Sequence, residues 1–272
     1  MWNDSIRNPA LLACSAHPKT EALRFGTFHA HRPKGARNDT STPKVTSLAS
    51  EQNPRADGAD DTQEEAPAST TLILVRHAKT PTTGTTLPGR AAGLSLSEEG
   101  IRQANTIPAS LAKVESLAAI YSSPLERARE PSAPLAAARG LEVLVEDRLV
   151  ECDFGAWTGR RLDELSKLPE WRVVQSAPSK FRFPQGESFR EMSERMISFL
   201  DWVHLRHRGE TVAAFSHADP IKALIAHCLG IHLDAFQRVV ISTTGISAIS
   251  ITDTANYALF VNLTPTPNLK VT

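Results

Sequence analysis

Cysteine is scarce in this chain. There are three in 272 residues, Cys14, Cys152 and Cys228, widely spaced and odd in number. Such a set builds neither a disulfide framework nor a zinc knuckle, and it makes a reducing cytoplasm the default compartment. An excess of one charge is also lacking: 30 Lys and Arg balance 30 Asp and Glu. Nothing in that balance points to nucleic acid or to a membrane surface. No apolar run is long enough to span a bilayer. No Walker-type glycine loop occurs, no HExxH pair occurs, and no cysteine is followed by arginine six positions on. The single HxH pair, His29 and His31, lies in the polar front of the chain. A metal set of His77, His217 and Glu151 is conceivable, but the spacing argues for no metal and no other cofactor.

Residues 1–69 have no sustained helical or strand period and are rich in Pro, Ser, Thr, Asn, Asp and Gly. They read as a disordered N-terminal extension. Leu11-Leu12-Ala13-Cys14 is a faint lipoprotein-like box, but its apolar run is too short for a signal core and Asp4 spoils a basic start. A start codon further downstream would also account for this stretch.

From Thr70 onward, strand-like and helix-like segments alternate. That predicts one α/β domain over 70–272, three layers deep, with a mainly parallel central sheet. Strands are expected at Thr71–Val75, Ala118–Ser122, Leu141–Val145, Thr211–Phe215, Ile246–Thr252 and Ala258–Asn262. Ser97-Glu98-Glu99 opens a helix that Pro108 should interrupt, and Leu125–Ala138 forms another. The clearest helix is Glu187–His204, with Phe189, Met192, Met196, Phe199 and Val203 in one stripe and a capping box of Ser188 and Glu191. Asp219-Pro220 reads as an N-cap followed by proline at the first helical position.

Four stretches carry chemistry. In TLILVRHAKT a buried strand ends abruptly on Arg76 and His77, at the sheet edge where α/β proteins bind ligands. A guanidinium fork suits phosphate, and imidazole is a nucleophile near neutral pH. In SSPLERA, Arg127 falls on the first turn of a helix that follows a strand. In RLVECDFGAWTG, Glu151 precedes a Phe-Gly turn and, if partly buried, would be a competent general acid. In SHADP, His217 ends a strand beside a helix N-terminus, a ready anion site. Singly, each has a plain reading as a packed histidine, a surface arginine, a solvated loop acid or a cap. Their order and combination are specific.

Together the four stretches, from about Thr71 to Asn262, resemble the histidine phosphatase superfamily, whose members are phosphoglycerate-mutase-like. LVRHAKT resembles its Arg-His-Gly signature, SSPLERA its second-arginine motif, RLVECDFGAWTG its acid-bearing loop and FSHADPIKA its second-histidine motif. ECDFGAWTGRRLDEL and PQGES resemble a bacterial branch of phosphomutases and phosphatases. The resemblance implies that His77 becomes a phosphohistidine and that Arg76, Arg127 and His217 hold the phosphoryl oxygens. Glu151 would protonate the leaving oxygen. It also puts Thr83, Ala218, Arg160 and Arg161 among phosphate- or substrate-binding positions. Three departures stand out. Alanine follows each histidine (Ala78, Ala218) where glycine is usual, which asks whether the backbone at Ala78 needs φ > 0. Thr83 stands where an asparagine is common.

The implied activity is metal-independent hydrolysis of a small phosphomonoester in the cytoplasm, with no nucleic-acid or membrane partner. Oligomeric state stays open, a homodimer being one option. A phosphomutase using the same intermediate is the alternative; Arg160–Gly186 opens with Arg160-Arg161 but lacks as a whole the longer covering insertion of the glycolytic mutases, which favours hydrolysis over phosphoryl return. A protein phosphohistidine phosphatase and a non-catalytic phosphate-binding module are further alternatives. Arg160–Gly186, with Trp157 just before it and Trp171, Arg172, Lys180 and Arg182 within it, reads as a lid that binds the rest of an anionic substrate, the plain alternative being helix packing and solvated charge.

Overall fold

Alternation sorts the central strands between two helical layers. In β1 (Thr70–Arg76), Leu72 and Leu74 join one apolar cluster while Ile73 and Val75 join another, as the period of two in a pleated strand requires. The remaining strands are β2 (Ala119–Ser122), β3 (Val143–Val145), β4 (Thr211–Ser216), β5 (Ile246–Ile251) and β6 (Asn256–Leu263). In β4, Val212 and Ala214 follow Leu72 and Leu74, and Ala213 and Phe215 follow Ile73 and Val75. Strands buried on both faces this way cannot show polar alternation, which is why they read as continuous apolar runs.

The structure, a computed structural model, describes residues 68–264. Positions 1–67, which hold most of the expected disordered extension with its Cys14 box and His29–His31 pair, lie outside the described residues, as do 265–272. The sheet runs β3-β2-β4-β1-β5-β6. The pairings β3–β2, β2–β4 and β4–β1 are parallel, and β1–β5 and β5–β6 are antiparallel. The expected mainly parallel sheet therefore carries an antiparallel pair on one edge.

The helices are α1 (Glu98–Ala104), α2 (Ile107–Ser110), α3 (Glu126–Arg139), α4 (Leu162–Leu165), α5 (Pro169–Ser176), α6 (Phe189–Arg206) and α7 (Ala218–Cys228). Ile107, Leu111 and Leu135, from α2, its end and α3, cover one face of the sheet. Met196, Phe199, Leu200 and Val203 of α6, with Ile221, Leu224 and Ile225 of α7, cover the other. Each of these fully buried side chains contributes roughly 1.5–3 kcal/mol relative to exposure. Pro108 restarts the helix at α2, as anticipated, and Ser97 caps α1 by accepting from Gly100 N–H. The Ser188–Glu191 capping box is formed.

Most boundaries shift by one or two residues from expectation, and two of the differences have a clear physical reason. β3 is three residues long with Leu144 and Val145 exposed, because an edge strand has only one neighbour to extend against. The N-cap of α7 is His217, not Asp219. Extended backbone continues through His217 (φ −121°, ψ 171°), so helical geometry begins one residue later and Asp219 falls inside the first turn.

Candidate active site

Register brings three strand ends into one row. Arg76 pairs with Ser216 across β1–β4, and Phe215 pairs with Ser122 across β4–β2. All three strands are parallel, so the residues that follow them, His77, His217 and Ser123, emerge side by side at the carboxyl edge of the sheet. Backbone bonds continue the ladder one step beyond the strands, His77 N–H to Ser216 O (2.9 Å) and Ser123 N–H to Phe215 O (2.9 Å). The two imidazole centroids lie 5.2 Å apart.

His77 is fully buried. Its Nδ1 lies 2.8 Å from Ala78 O. A carbonyl only accepts, so Nδ1 carries the proton and Nε2 keeps a lone pair. Among the described residues that buried Nε2 has no hydrogen-bond partner. Burial first, then the charges of Arg76 and Arg127, hold the imidazole well below its ordinary pKa, which keeps it neutral. Ala78 is absent from the residues with positive φ among those described. Alanine therefore fits without backbone strain, and its methyl packs with Leu96 and Ala104.

His217 is also neutral, driven down by burial and then by Arg127 and His77. Its Nε2 lies 2.8 Å from Ser123 Oγ, leaving Nδ1 buried without a partner among the described residues. Arg127, on the first turn of α3, is fully buried; its Nη2 donates to Gly89 O at 2.6 Å. Its Nε and Nη1 have no partner among the described residues. Arg76 donates from Nη1 to Ile241 O at 2.6 Å. Two buried guanidinium groups, two imidazoles held neutral and the first N–H groups of α7 converge at this edge of the sheet. That arrangement suits a compact dianion such as a phosphoryl group.

Glu151 supplies a proton-carrying group at the same place. It is 2% exposed and accepts from Cys152 N–H at 2.9 Å. Burial, and then the charge of Asp219, push its carboxyl up to about 7, with Arg127 opposing. The loop that carries it is braced from three sides. Arg90 Nε donates to Glu151 O (2.9 Å) and Arg195 Nη1 to Val150 O (2.9 Å), while Glu187 accepts from both Arg90 (3.0 Å) and Arg195 (2.9 Å). Ser216 Oγ donates to Leu149 O at 2.7 Å. Gly155 (φ +49°) and Gly186 let the Asp153–Gly155 backbone meet the Pro184–Gly186 backbone: a Cβ on Gly186 would lie 2.3 Å from Asp153 O. Sequence reasoning missed Arg90, Ser123, Glu187 and Arg195. The glycine in PQGES was the one available hint, since only a close backbone approach demands it.

The other anticipated positions scatter. Thr83 Oγ1 accepts from Thr80 N–H (2.9 Å) and lies 3.0 Å from Thr80 Oγ1, so its hydroxyl organises the loop after β1. Arg161 is exposed and forks onto Asp163 at 3.0 Å; Arg160 is half-buried. Trp157 and Trp171 stack at 6.2 Å within a second apolar core containing Phe154, Phe181, Phe183 and Phe189. The aromatic part of the expected lid is thus packing, while Arg172 and Lys180 face solvent and Arg182 pairs with Glu191. Among the described residues no group of three His, Cys, Asp or Glu side chains gathers as a metal-binding set, and no helix is long and apolar enough to cross a membrane.

The sequence profile of the histidine phosphatase superfamily (branch 1) matches residues 72–264. Phosphoserine phosphatase 1 of Hydrogenobacter thermophilus is 37% identical over 198 residues, spanning 71% of this chain and 92% of that protein. A protein of Cronobacter sakazakii named "Probable phosphoglycerate mutase GpmB" is 32% identical over 181 residues, 65% of this chain and 83% of its own. The solved mycobacterial glucosyl-3-phosphoglycerate phosphatase Rv2419c superposes with a TM-score of 0.65 at 22% identity, covering 72% of this chain and 100% of that one. At that identity the likeness speaks for the fold.

Proposed function

The chain belongs to branch 1 of the histidine phosphatase superfamily, and from that premise we propose a metal-independent phosphatase that hydrolyses small phosphomonoesters through a phosphohistidine on His77. One observation carries the reading. A buried imidazole has its Nδ1 committed to a carbonyl, its Nε2 open, and two guanidinium groups acting on it. An imidazole so placed attacks anions and is not protonated by its surroundings.

In this reading the Nε2 lone pair of His77 forms a bond to phosphorus while the bond to the ester oxygen breaks. Glu151 gives its proton to the departing alkoxide, leaving phospho-His77 and a carboxylate. Water then attacks phosphorus, Glu151 takes up its proton, and the P–N electrons return to His77. Arg76, Arg127, His217 Nδ1–H and the N–H of Ala218 donate to the equatorial oxygens, where charge spreads in the transition state. We assign this chemistry to a domain over 70–272 and to the cytoplasm, which suits three scattered cysteines. The 37% identity to a phosphoserine phosphatase makes phosphoserine the first substrate to try. The identity to a protein named as a phosphoglycerate mutase supports phosphoryl return to a second hydroxyl as the other reading.

The test is phosphate release from a panel of phosphoserine, sugar phosphates, nucleotides, α-ribazole phosphate and 3-phosphoglycerate with 2,3-bisphosphoglycerate, run in chelator. Release that persists, with a labelled phosphoenzyme that His77→Ala abolishes and turnover down at least about a thousandfold, is the expected result. Normal turnover by His77→Ala refutes the nucleophile. Isomerisation of 3-phosphoglycerate without phosphate release favours the mutase.

A further inference from the structure

We propose that the turn at 242–245 is a positioning device that fixes the direction of the Arg76 fork, with Thr244 and Asn262 as its positioning residues. The inference rests on the reading of Arg76 as a phosphoryl ligand. β1 and β5 pair antiparallel up to Val75 and Ile246, and the turn that precedes β5 closes over the end of β1. Arg76 N–H donates to Gly245 O (3.1 Å), and Thr244 N–H donates to Arg76 O (3.2 Å) and, at 3.4 Å, to His77 O. Just before the turn, Ile241 O accepts from Arg76 Nη1 at 2.6 Å. Residues 241–245 thus hold both the main chain of Arg76 and one arm of its guanidinium.

The turn is built to have one shape. Gly245 N–H donates to Ser242 O (2.9 Å) and closes it. Its third residue, Thr244, is 4% exposed and has φ +54°. Glycine or asparagine is usual at such a position, and a β-branched side chain there is strained. The glycine of the turn stands one residue later, where a Cβ would lie 2.3 Å from Asn262 Oδ1. Asn262, itself at φ +59°, clamps the turn from β6. Its Oδ1 accepts from Ser242 N–H (2.7 Å) and its Nδ2 donates to Ser242 Oγ (3.3 Å). Behind the turn, the Ile241 side chain is anchored in the core cluster of Leu72, Leu74 and Ile225. Strain that surroundings over-determine in this way collects at functional sites, and here it stands against Arg76 and His77. Glycine at 244 would relieve the strain but let the turn sample other directions. The guanidinium is a rigid planar fork, so its direction sets how well it meets the equatorial oxygens.

The test is orthovanadate binding by calorimetry, because vanadate presents equatorial oxygens like those of the transition state, with thermal melting of the same preparations. Thr244→Gly should weaken vanadate about tenfold while Tm stays at or above that of wild type, since strain is removed. Asn262→Gly keeps the backbone bond to Ser247 Oγ but deletes the clamp, and should weaken vanadate in the same way. Arg76 has further interactions, so these losses are partial. Arg76→Lys keeps the charge and loses the fork. In that background either glycine substitution should change vanadate affinity by less than about twofold, because members of one network are not additive. Unchanged affinity in both single variants, whatever their Tm, overturns the inference and leaves Arg76 as a ligand. Losses that recur in full in the Arg76→Lys background also overturn it. Vanadate binding untouched by Arg76→Lys, or absent from wild type, overturns the phosphoryl assignment and this inference together.

Discussion

Ser123→Ala removes a hydroxyl that touches the second histidine. Ser123 Oγ lies 2.8 Å from His217 Nε2, and both residues are completely buried. For Nδ1 to donate to a phosphoryl oxygen it must carry the ring's proton, so Nε2 must accept, and the serine O–H must donate. Deleting the hydroxyl leaves a buried acceptor unpaired at a cost of about 1–2 kcal/mol. In a domain of this size that lowers Tm by about 3–6 °C. The catalytic effect is separate: without the donor, the proton is free to sit on Nε2, and the fraction of His217 able to donate toward the substrate falls. A loss of about 1.4 kcal/mol in transition-state binding corresponds to a tenfold drop in kcat/KM. Thermal melting and turnover of 4-nitrophenyl phosphate, measured on the same preparation, distinguish the two. A Tm that falls while kcat/KM holds would show that the serine packs the strand end without setting the tautomer.

Two further expectations concern the acid loop. Gly186→Ala introduces a Cβ 2.3 Å from Asp153 O and 2.7 Å from Gly155 N, backbone atoms that move only with the loop. A loss of about 1–3 kcal/mol is expected, with kcat falling more than KM rises because Glu151 rides on the displaced segment; unchanged stability would mean that the two loops are not in contact. Glu151→Gln should reshape the dependence of stability on pH. Since the folded carboxyl sits at about 7, above its unfolded value near 4.3, the native state binds the extra proton between those values. Its stabilising contribution is complete below about pH 4 and lost as pH rises through 7. The amide has no such loss, so urea unfolding should find the variant gaining on wild type by about 3 kcal/mol between pH 5 and pH 8. Parallel stability curves would place Glu151 in water.

His77 and His217 were legible because each follows a short apolar strand where polarity changes within one residue, and Arg127 because it opens the helix that returns from such a strand. The parallel sheet then turns sequence order into spatial adjacency, and Arg76 and Ser216 pair directly. Glu151 was legible through the Phe-Gly turn after it, whose glycine adopts φ +49°. Asp219 shows where local reading stops. An Asp-Pro pair at a helix start looks like a cap, and nothing nearby in the chain tells that the backbone stays extended through His217 or that Lys222 Nζ, itself held by Gln237, lies 3.4 Å from the buried carboxylate. Trp157 and Trp171 are similar: an aromatic near a basic stretch looks like a binding surface until Phe181, Phe183 and Phe189 close around it.

Sequence by itself determined the period-two and period-3.6 apolar patterns, and with them the layers, the strand ends and the residues able to carry phosphoryl chemistry. These are local properties, set by the side-chain directions of strand and helix. Burial was decided only by tertiary structure. Whether a carboxyl holds its proton to about pH 7, or an arginine braces a loop and not a substrate, depends on groups from remote parts of the chain excluding water around it. Desolvation and charge act through space, and only the folded chain sets those distances.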